Sequence, residues 1–155
     1  MAGLAGFGKA CELAQKHIFS QESSSLSSLR DHFYQLVSNL ISGVEIFGDP
    51  GNRLPNTLNL GFEAVEGDTL LISLDMAGVA VSTGSACSSG SGLPSPVLMA
   101  MGIPFDKINS SIRFSFGWSN TTAEIEKAVK ILAQTVSLNR TGTPADVNKK
   151  LMKTL

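Results

Sequence analysis

Ser111-Ile112-Arg113-Phe114-Ser115-Phe116 alternates between polar and apolar side chains without a break. A period of two puts Ile112, Phe114 and Phe116 on one face of a β-strand and Ser111, Arg113 and Ser115 on the other. Thr57 to Phe62 repeats the pattern, with Leu58, Leu60 and Phe62 on one side and Thr57, Asn59 and Gly61 on the other. Strands with one apolar and one polar face belong to a sheet covered on one side, which is most often antiparallel.

What covers that side can be read outward from these strands. Thr121 and Glu124 form a capping box, and Ile125, Val129, Leu132 and Val136 follow at helical spacing. A helix over 68–76 turns Leu70, Leu71 and Leu74 inward and is stopped by Gly78. A helix over 25–41 offers Leu26, Leu29, Phe33, Leu36, Val37 and Leu40, and Gly43 suits its end. A first helix over 3–18 carries a stripe of Phe7, Cys11, Ala14 and Ile18, as if entered from something upstream. Ser20 to Ser25 is a polar break between these two helices. Short strands are expected over Val44–Phe47 and Val79–Ser82, with a turn cluster from Gly48 to Asn52. Ser95 caps a short helix with Pro96 in its first position, closed by Gly102. The expected class is α+β: a small, mostly antiparallel sheet with helices on one face. Lead-in helices occupy 1–43, a small α/β domain 44–140, and a polar tail 141–155.

The chain has 155 residues, of which 43% are hydrophobic and 16% charged, with a formal net charge of −1. A core of useful size fits this length, and the low charge argues against disorder. The basic excess of a nucleic-acid binder is absent. No apolar run reaches the length of a membrane span, and the N-terminus lacks the pattern of a signal peptide. Two cysteines make no disulfide framework, so a reducing, cytoplasmic setting is expected. With two histidines, one Trp and one Tyr, the stock of common catalytic groups is small.

Cys87 stands out within that stock. It lies in a loop of small residues over 83–94, in the run Ser85-Ala86-Cys87-Ser88-Ser89-Gly90-Ser91-Gly92. Its neighbours offer hydroxyls and backbone N–H groups but no bulk, which gives a thiol both access and freedom to travel. Packing as a small residue at a strand-to-loop join is the alternative. Cys11, on an apolar helical stripe, reads as a core residue. Arg113 stands on the polar face of an apolar strand, where a fixed guanidinium can take a carboxylate by two parallel hydrogen bonds. A solvated edge arginine is the alternative. The loop lacks the Gly-Lys-Ser/Thr ending of a phosphate loop. His17 and His32 lie on different helices, read as surface or boundary residues, and share no zinc spacing with the cysteines.

Residues 79–101, Val-Ala-Val-Ser-Thr-Gly-Ser-Ala-Cys-Ser-Ser-Gly-Ser-Gly-Leu-Pro-Ser-Pro-Val-Leu-Met-Ala-Met, resemble the persulfide loop of cysteine desulfurases of the NifS/IscS type. The resemblance continues through Ser111–Gly117, Thr121–Ile125 and Arg53-Leu54-Pro55-Asn56-Thr57-Leu58-Asn59-Leu60, and covers about residues 5 to 138 in order. It implies the small C-terminal domain, with its lead-in helix, of a pyridoxal-phosphate enzyme with the class V aminotransferase fold. Members of the family are homodimers. In the implied chemistry Arg113 grips the carboxylate of L-cysteine, and the Cys87 thiolate takes the substrate sulfur as a persulfide while alanine leaves. The loop then hands the sulfur to an acceptor scaffold for iron–sulfur clusters or tRNA thiolation.

The cofactor lysine of the family sits in a larger domain. Lys9, Lys16, Lys107, Lys127, Lys130, Lys149, Lys150 and Lys153 lie in no His-Lys motif followed by glycine. This chain alone is therefore expected to hold no pyridoxal phosphate and to release no alanine. No nucleic-acid or membrane partner is expected. Two departures stand out: Trp118, where the family usually has arginine, and Pro96, where it often has His or Tyr. A non-catalytic module that binds partners or accepts a persulfide, and part of a selenocysteine lyase, are the rival readings.

Overall fold

The computed structural model describes residues 1–18, 22–83 and 94–141. The elements run α1 (Ala2–Ile18), α2 (Glu22–Leu40), β1 (Val44–Phe47), β2 (Thr57–Phe62), α3 (Gly67–Met76), β3 (Ser82–Thr83), α4 (Pro96–Ala100), α5 (Phe105–Asn109), β4 (Ser111–Ser115) and α6 (Thr122–Thr141). The four strands form one sheet in the order β1-β2-β4-β3, and every neighbouring pair is antiparallel.

The alternation read from the sequence sets the two faces. Leu58, Leu60, Phe62, Ile112, Phe114 and Phe116 are all buried, and they meet Phe33 and Val37 of α2, Leu70 and Leu74 of α3, and the inner stripe of α6. That stripe is Ile125, Val129, Leu132 and Val136. Phe33 anchors the layer, with its ring centroid 4.8 Å from Phe114 and 5.4 Å from Phe116. Edge-to-face and tilted arrangements at these distances suit the ring quadrupoles. The capping box forms as read: the Thr121 N–H donates to Glu124 Oε2 at 2.8 Å, and the Glu124 N–H to Thr121 Oγ1 at 3.3 Å. Ser95 caps α4 from its side chain, with Pro96 in the first turn.

The other face is polar and only partly covered. Phe47 projects there from β1 and joins Leu98 of α4 and Ile108 of α5 in a second small apolar cluster. Lys107 of α5 reaches Glu45 of β1 at 2.6 Å. Long-range ties fix the ends: Arg140 Nε donates to the Glu63 carbonyl at 2.9 Å, and its Nη2 to the Ser42 carbonyl at 2.8 Å.

Several expectations are corrected. Cys11 is exposed, and so are Leu4, Phe7 and Leu13, so the apolar residues of α1 enter no core among the described residues. The stripe is amphipathic, but α1 packs mainly against α2 among the described residues, and most of its described side chains are exposed. At the end of α2, Ile41 is buried and Leu40 is 59% exposed, because the helix stops at Leu40 and the chain turns inward. The strand expected over 79–82 is confined to Ser82–Thr83, since Val79 still bonds back to Leu74 through its N–H. The helix α5 was not foreseen. Five residues are too few to show a period, and Pro104 gives it an N-cap without a side-chain hydrogen bond.

Candidate functional site

The polar face of the sheet gathers one row of side chains across four strands. Register pairs Phe47 with Asn59, Asn59 with Arg113, and Arg113 with Ser82. Residues directly opposite in an antiparallel pair hold their Cβ atoms about 4.5–5.5 Å apart and on one face. Arg113 therefore stands between Asn59 and Ser82, on the face that the long helices leave open.

Arg113 is half-buried, and its side chain makes no hydrogen bond or ion pair with a described residue. Its five N–H donors are thus uncommitted within the described set. Asn59 is half-buried as a residue, yet its Oδ1 is fully buried and unpartnered among the described residues. Ser82 spends its hydroxyl proton on the Thr83 carbonyl at 2.9 Å. A planar donor fork on a rigid strand, beside polar neighbours, can bind a carboxylate bidentately. One cleft of about 620 Å³ takes in Phe47 of this row, with Glu45, Gly61 and Lys107, and another of about 480 Å³ is bordered by Phe33, Val79, Phe114 and Ile131.

Cys87 and most of its loop, residues 84–93, lie outside the described residues, as does the tail from 142 onward. Of the two site residues read from the sequence, the structure places Arg113. Asn59 and Ser82 were not singled out. Their signal was present in the alternation of Thr57–Phe62, but antiparallel register was needed to set them beside Arg113. His32 of α2 comes within 3.9 Å of Glu126 of α6, well away from this row along the sheet's covered side. His17 has no described side chain.

Pyridoxal phosphate requires a lysine that can be held neutral and out of water to form its Schiff base. Among the described residues Lys9, Lys16, Lys127 and Lys130 are exposed. Lys107 is paired with Glu45, and that hydrogen bond raises its pKa, opposite to the requirement. The described lysines do not fit the role.

Comparison with known proteins gives a consistent answer. The family model "Aminotransferase class-V" matches residues 1–128. A cysteine desulfurase of Gluconacetobacter diazotrophicus is 40% identical over 142 residues, covering 92% of this chain and 35% of that protein. The cysteine desulfurase IscS of Dictyoglomus turgidum is 41% identical over 153 residues, covering 99% of this chain and 39% of that protein. Among solved structures, a NifS-like protein of Rickettsia africae superposes with a TM-score of 0.73 at 27% identity, over 86% of this chain and 34% of the other. A further NifS-like protein gives 0.71 at 29% identity, over 83% and 32%. The chain thus spans 32–39% of the length of these relatives. From the family match over most of its length, and from homology to cysteine desulfurases of the NifS/IscS type, this chain belongs to the class-V aminotransferase family.

Proposed function

We propose that this chain is the small C-terminal domain, with its lead-in helices, of a cysteine desulfurase. It takes sulfur from L-cysteine and carries it as a persulfide on Cys87. The observation that carries this reading is the placement of Arg113 on the open polar face, in a chain whose relatives are desulfurases. Cys87 follows Ser82, the strand partner of Arg113, by five residues, so the covalent chain keeps it within about 18 Å of that position.

In the overall exchange, the substrate C–S bond breaks and an S–S bond to Cys87 forms. The carbon keeps the electron pair and takes a proton, so L-cysteine and the thiol yield L-alanine and the persulfide with no outside oxidant. Arg113 binds the carboxylate and orients the sulfur toward Cys87. The pyridoxal phosphate of the reaction belongs to residues other than those described for this chain, and no step through it is assigned to them. The sulfur passes on to an acceptor protein for cluster assembly or tRNA thiolation, and the complete enzyme is a homodimer.

Two measurements test this. The chain alone, titrated with pyridoxal phosphate, gives no stable Schiff-base absorbance band and no alanine from L-cysteine. Joined to a lysine-bearing domain of the same family, it releases alanine and gains a persulfide at Cys87. A stable band in the isolated chain would overturn the assignment of the cofactor elsewhere. Alanine release that survives Cys87→Ser at the full rate would overturn the persulfide role.

A further inference from the structure

The cleft of about 620 Å³ lies where β1, the outermost strand on its side of the sheet, passes α5. Val44, Phe47 and Val65 give it an apolar wall, and one backbone edge of β1 has no strand partner among the described residues. Its rim is acidic. Glu45, Glu63 and Asp106 line it against one cation, Lys107, which Glu45 already takes at 2.6 Å. Glu63 and Asp106 are exposed, and their carboxylates have no ion pair with a described residue. No three His, Cys, Asp or Glu side chains among the described residues converge on a metal position, so the rim suits separate cations spaced along a chain.

The chain carries such a segment at the right place. α6 ends at Thr141, and its Arg140 is bonded to the carbonyls of Glu63 and Ser42, beside the cleft. From there residues 142–155 continue with Lys149, Lys150 and Lys153 against a single Asp146, interleaved with Val147, Leu151, Met152 and Leu155. Lys149 follows Arg140 by nine residues, so the chain can carry it up to about 30 Å from that anchor, well beyond the breadth of a cleft of this volume. We propose that residues 142–155 turn back on their own chain and dock in this cleft. Lysines of 149–153 pair with Glu63 and Asp106, and the apolar residues among them lie against Val44 and the open edge of β1. The tail thereby covers an edge strand that would otherwise invite another chain. The inference stands apart from the desulfurase reading and needs neither Cys87 nor Arg113.

Paramagnetic NMR of the 155-residue chain tests the docking without any cofactor or activity. Leu155→Cys, in a Cys11→Ser, Cys87→Ser background, carries a nitroxide at the end of the segment. The amides of Glu45, Glu63 and Asp106 are expected to broaden. That of Glu126, about 21 Å from Arg140 along α6, is the internal control and should stay sharp. Exposed ion pairs are screened by salt, so about 1 M sodium chloride should weaken the broadening roughly threefold. Glu63→Lys with Asp106→Lys should abolish it, and adding Lys149→Glu, Lys150→Glu and Lys153→Glu to that chain should restore it. Should an altered chain fail to fold, the unaltered one gives a second readout: cutting it after Thr141 should move the amide resonances of the cleft and leave that of Glu126 in place. Broadening spread evenly over the molecule, broadening centred on Leu4 and Phe7 of α1, indifference to salt and charge reversal, or a cut that leaves the cleft unmoved would each overturn the proposal. So would broadening that is equally strong with the nitroxide on one copy and nitrogen-15 on another, because the cleft would then be filled by a second copy's tail.

Discussion

Gly67, the first residue of α3, faces the backbone carbonyl of Asn109 so closely that a Cβ on it would lie 2.7 Å from that oxygen. The Ser111 carbonyl would be 3.2 Å away. Both neighbours are main chain at the entry to β4, so neither can swing aside. Gly67→Ala should therefore cost about 1–3 kcal/mol, the usual range for overpacking a tight site. Urea unfolding would read this as a lower midpoint at unchanged slope. Gly78→Ala is the control. Its space is open, and only its φ of 81° opposes the change.

Phe33 links α2 to the end of β4 through two ring contacts, and it is only 2% exposed. Phe33→Ala removes both contacts and opens a cavity at the centre of the main core. The expected loss is about 3–5 kcal/mol, and much of the total stability of a domain this size would go with it. Thermal unfolding followed by circular dichroism checks this.

The capping box should show in the acid limb of stability. The Thr121 N–H and hydroxyl hold the Glu124 carboxyl below its ordinary value of 4.5. A carboxyl whose folded pKa is depressed contributes in full above that ordinary value, and its contribution fades as pH falls through the lower, folded one. Glu124→Gln keeps the capping geometry but does not titrate, so its stability should fall less than the unaltered chain's between neutral pH and pH about 3. Thr121→Ala should cost about 1 kcal/mol at neutral pH. Urea midpoints at several pH values separate the two effects.

The two thiols should behave differently. Cys11 is exposed on α1, so alkylating reagents will label it readily. Only Cys87 is expected to carry a persulfide when the chain is supplied with a sulfur donor of the desulfurase kind. Peptide mapping by mass spectrometry after Cys11→Ser should find the added sulfur undiminished. After Cys87→Ser it should find none.

Arg113→Lys keeps the charge but loses the planar fork. In a complete enzyme the expected result is a higher KM for L-cysteine, by about tenfold or more, with a smaller fall in kcat. Steady-state alanine release measures both. An unchanged KM would remove Arg113 from the substrate site.

Legibility in the sequence followed the strength of each period. Thr57–Phe62 and Ser111–Phe116 alternate so strictly that the core face could be assigned, and Leu58, Leu60, Ile112 and Phe114 are buried as read, whereas Ser111, expected to face outward, is buried too, with its hydroxyl donating to the Ile108 carbonyl. The stripe of α6 was equally clear, because its capping box marked the start. The stripe of α1 misled. Helical spacing shows that a face is apolar, but it does not say whether another element arrives to cover it, and Cys11 stays exposed. Two-residue β3 and five-residue α5 are shorter than any period that could reveal them. At the candidate site, Arg113 was legible as a cation on an apolar strand. Asn59 was not, since its meaning comes from register across β2 and β4, and no local pattern encodes that.

The strand order has a kinetic consequence. Leu58 of β2 pairs with Phe114 of β4, about 56 residues later, whereas β1 and β2 are joined by a short turn region. Closing a loop of that length costs about 3–4 kcal/mol of chain entropy before any contact repays it. The β1–β2 hairpin can zip early, but the centre of the sheet must wait for a non-local encounter, the kind of step that slows folding. Asn59 and Arg113 meet only at that late step. The polar row is therefore assembled by a non-local closure, and a peptide holding either strand alone would not contain it.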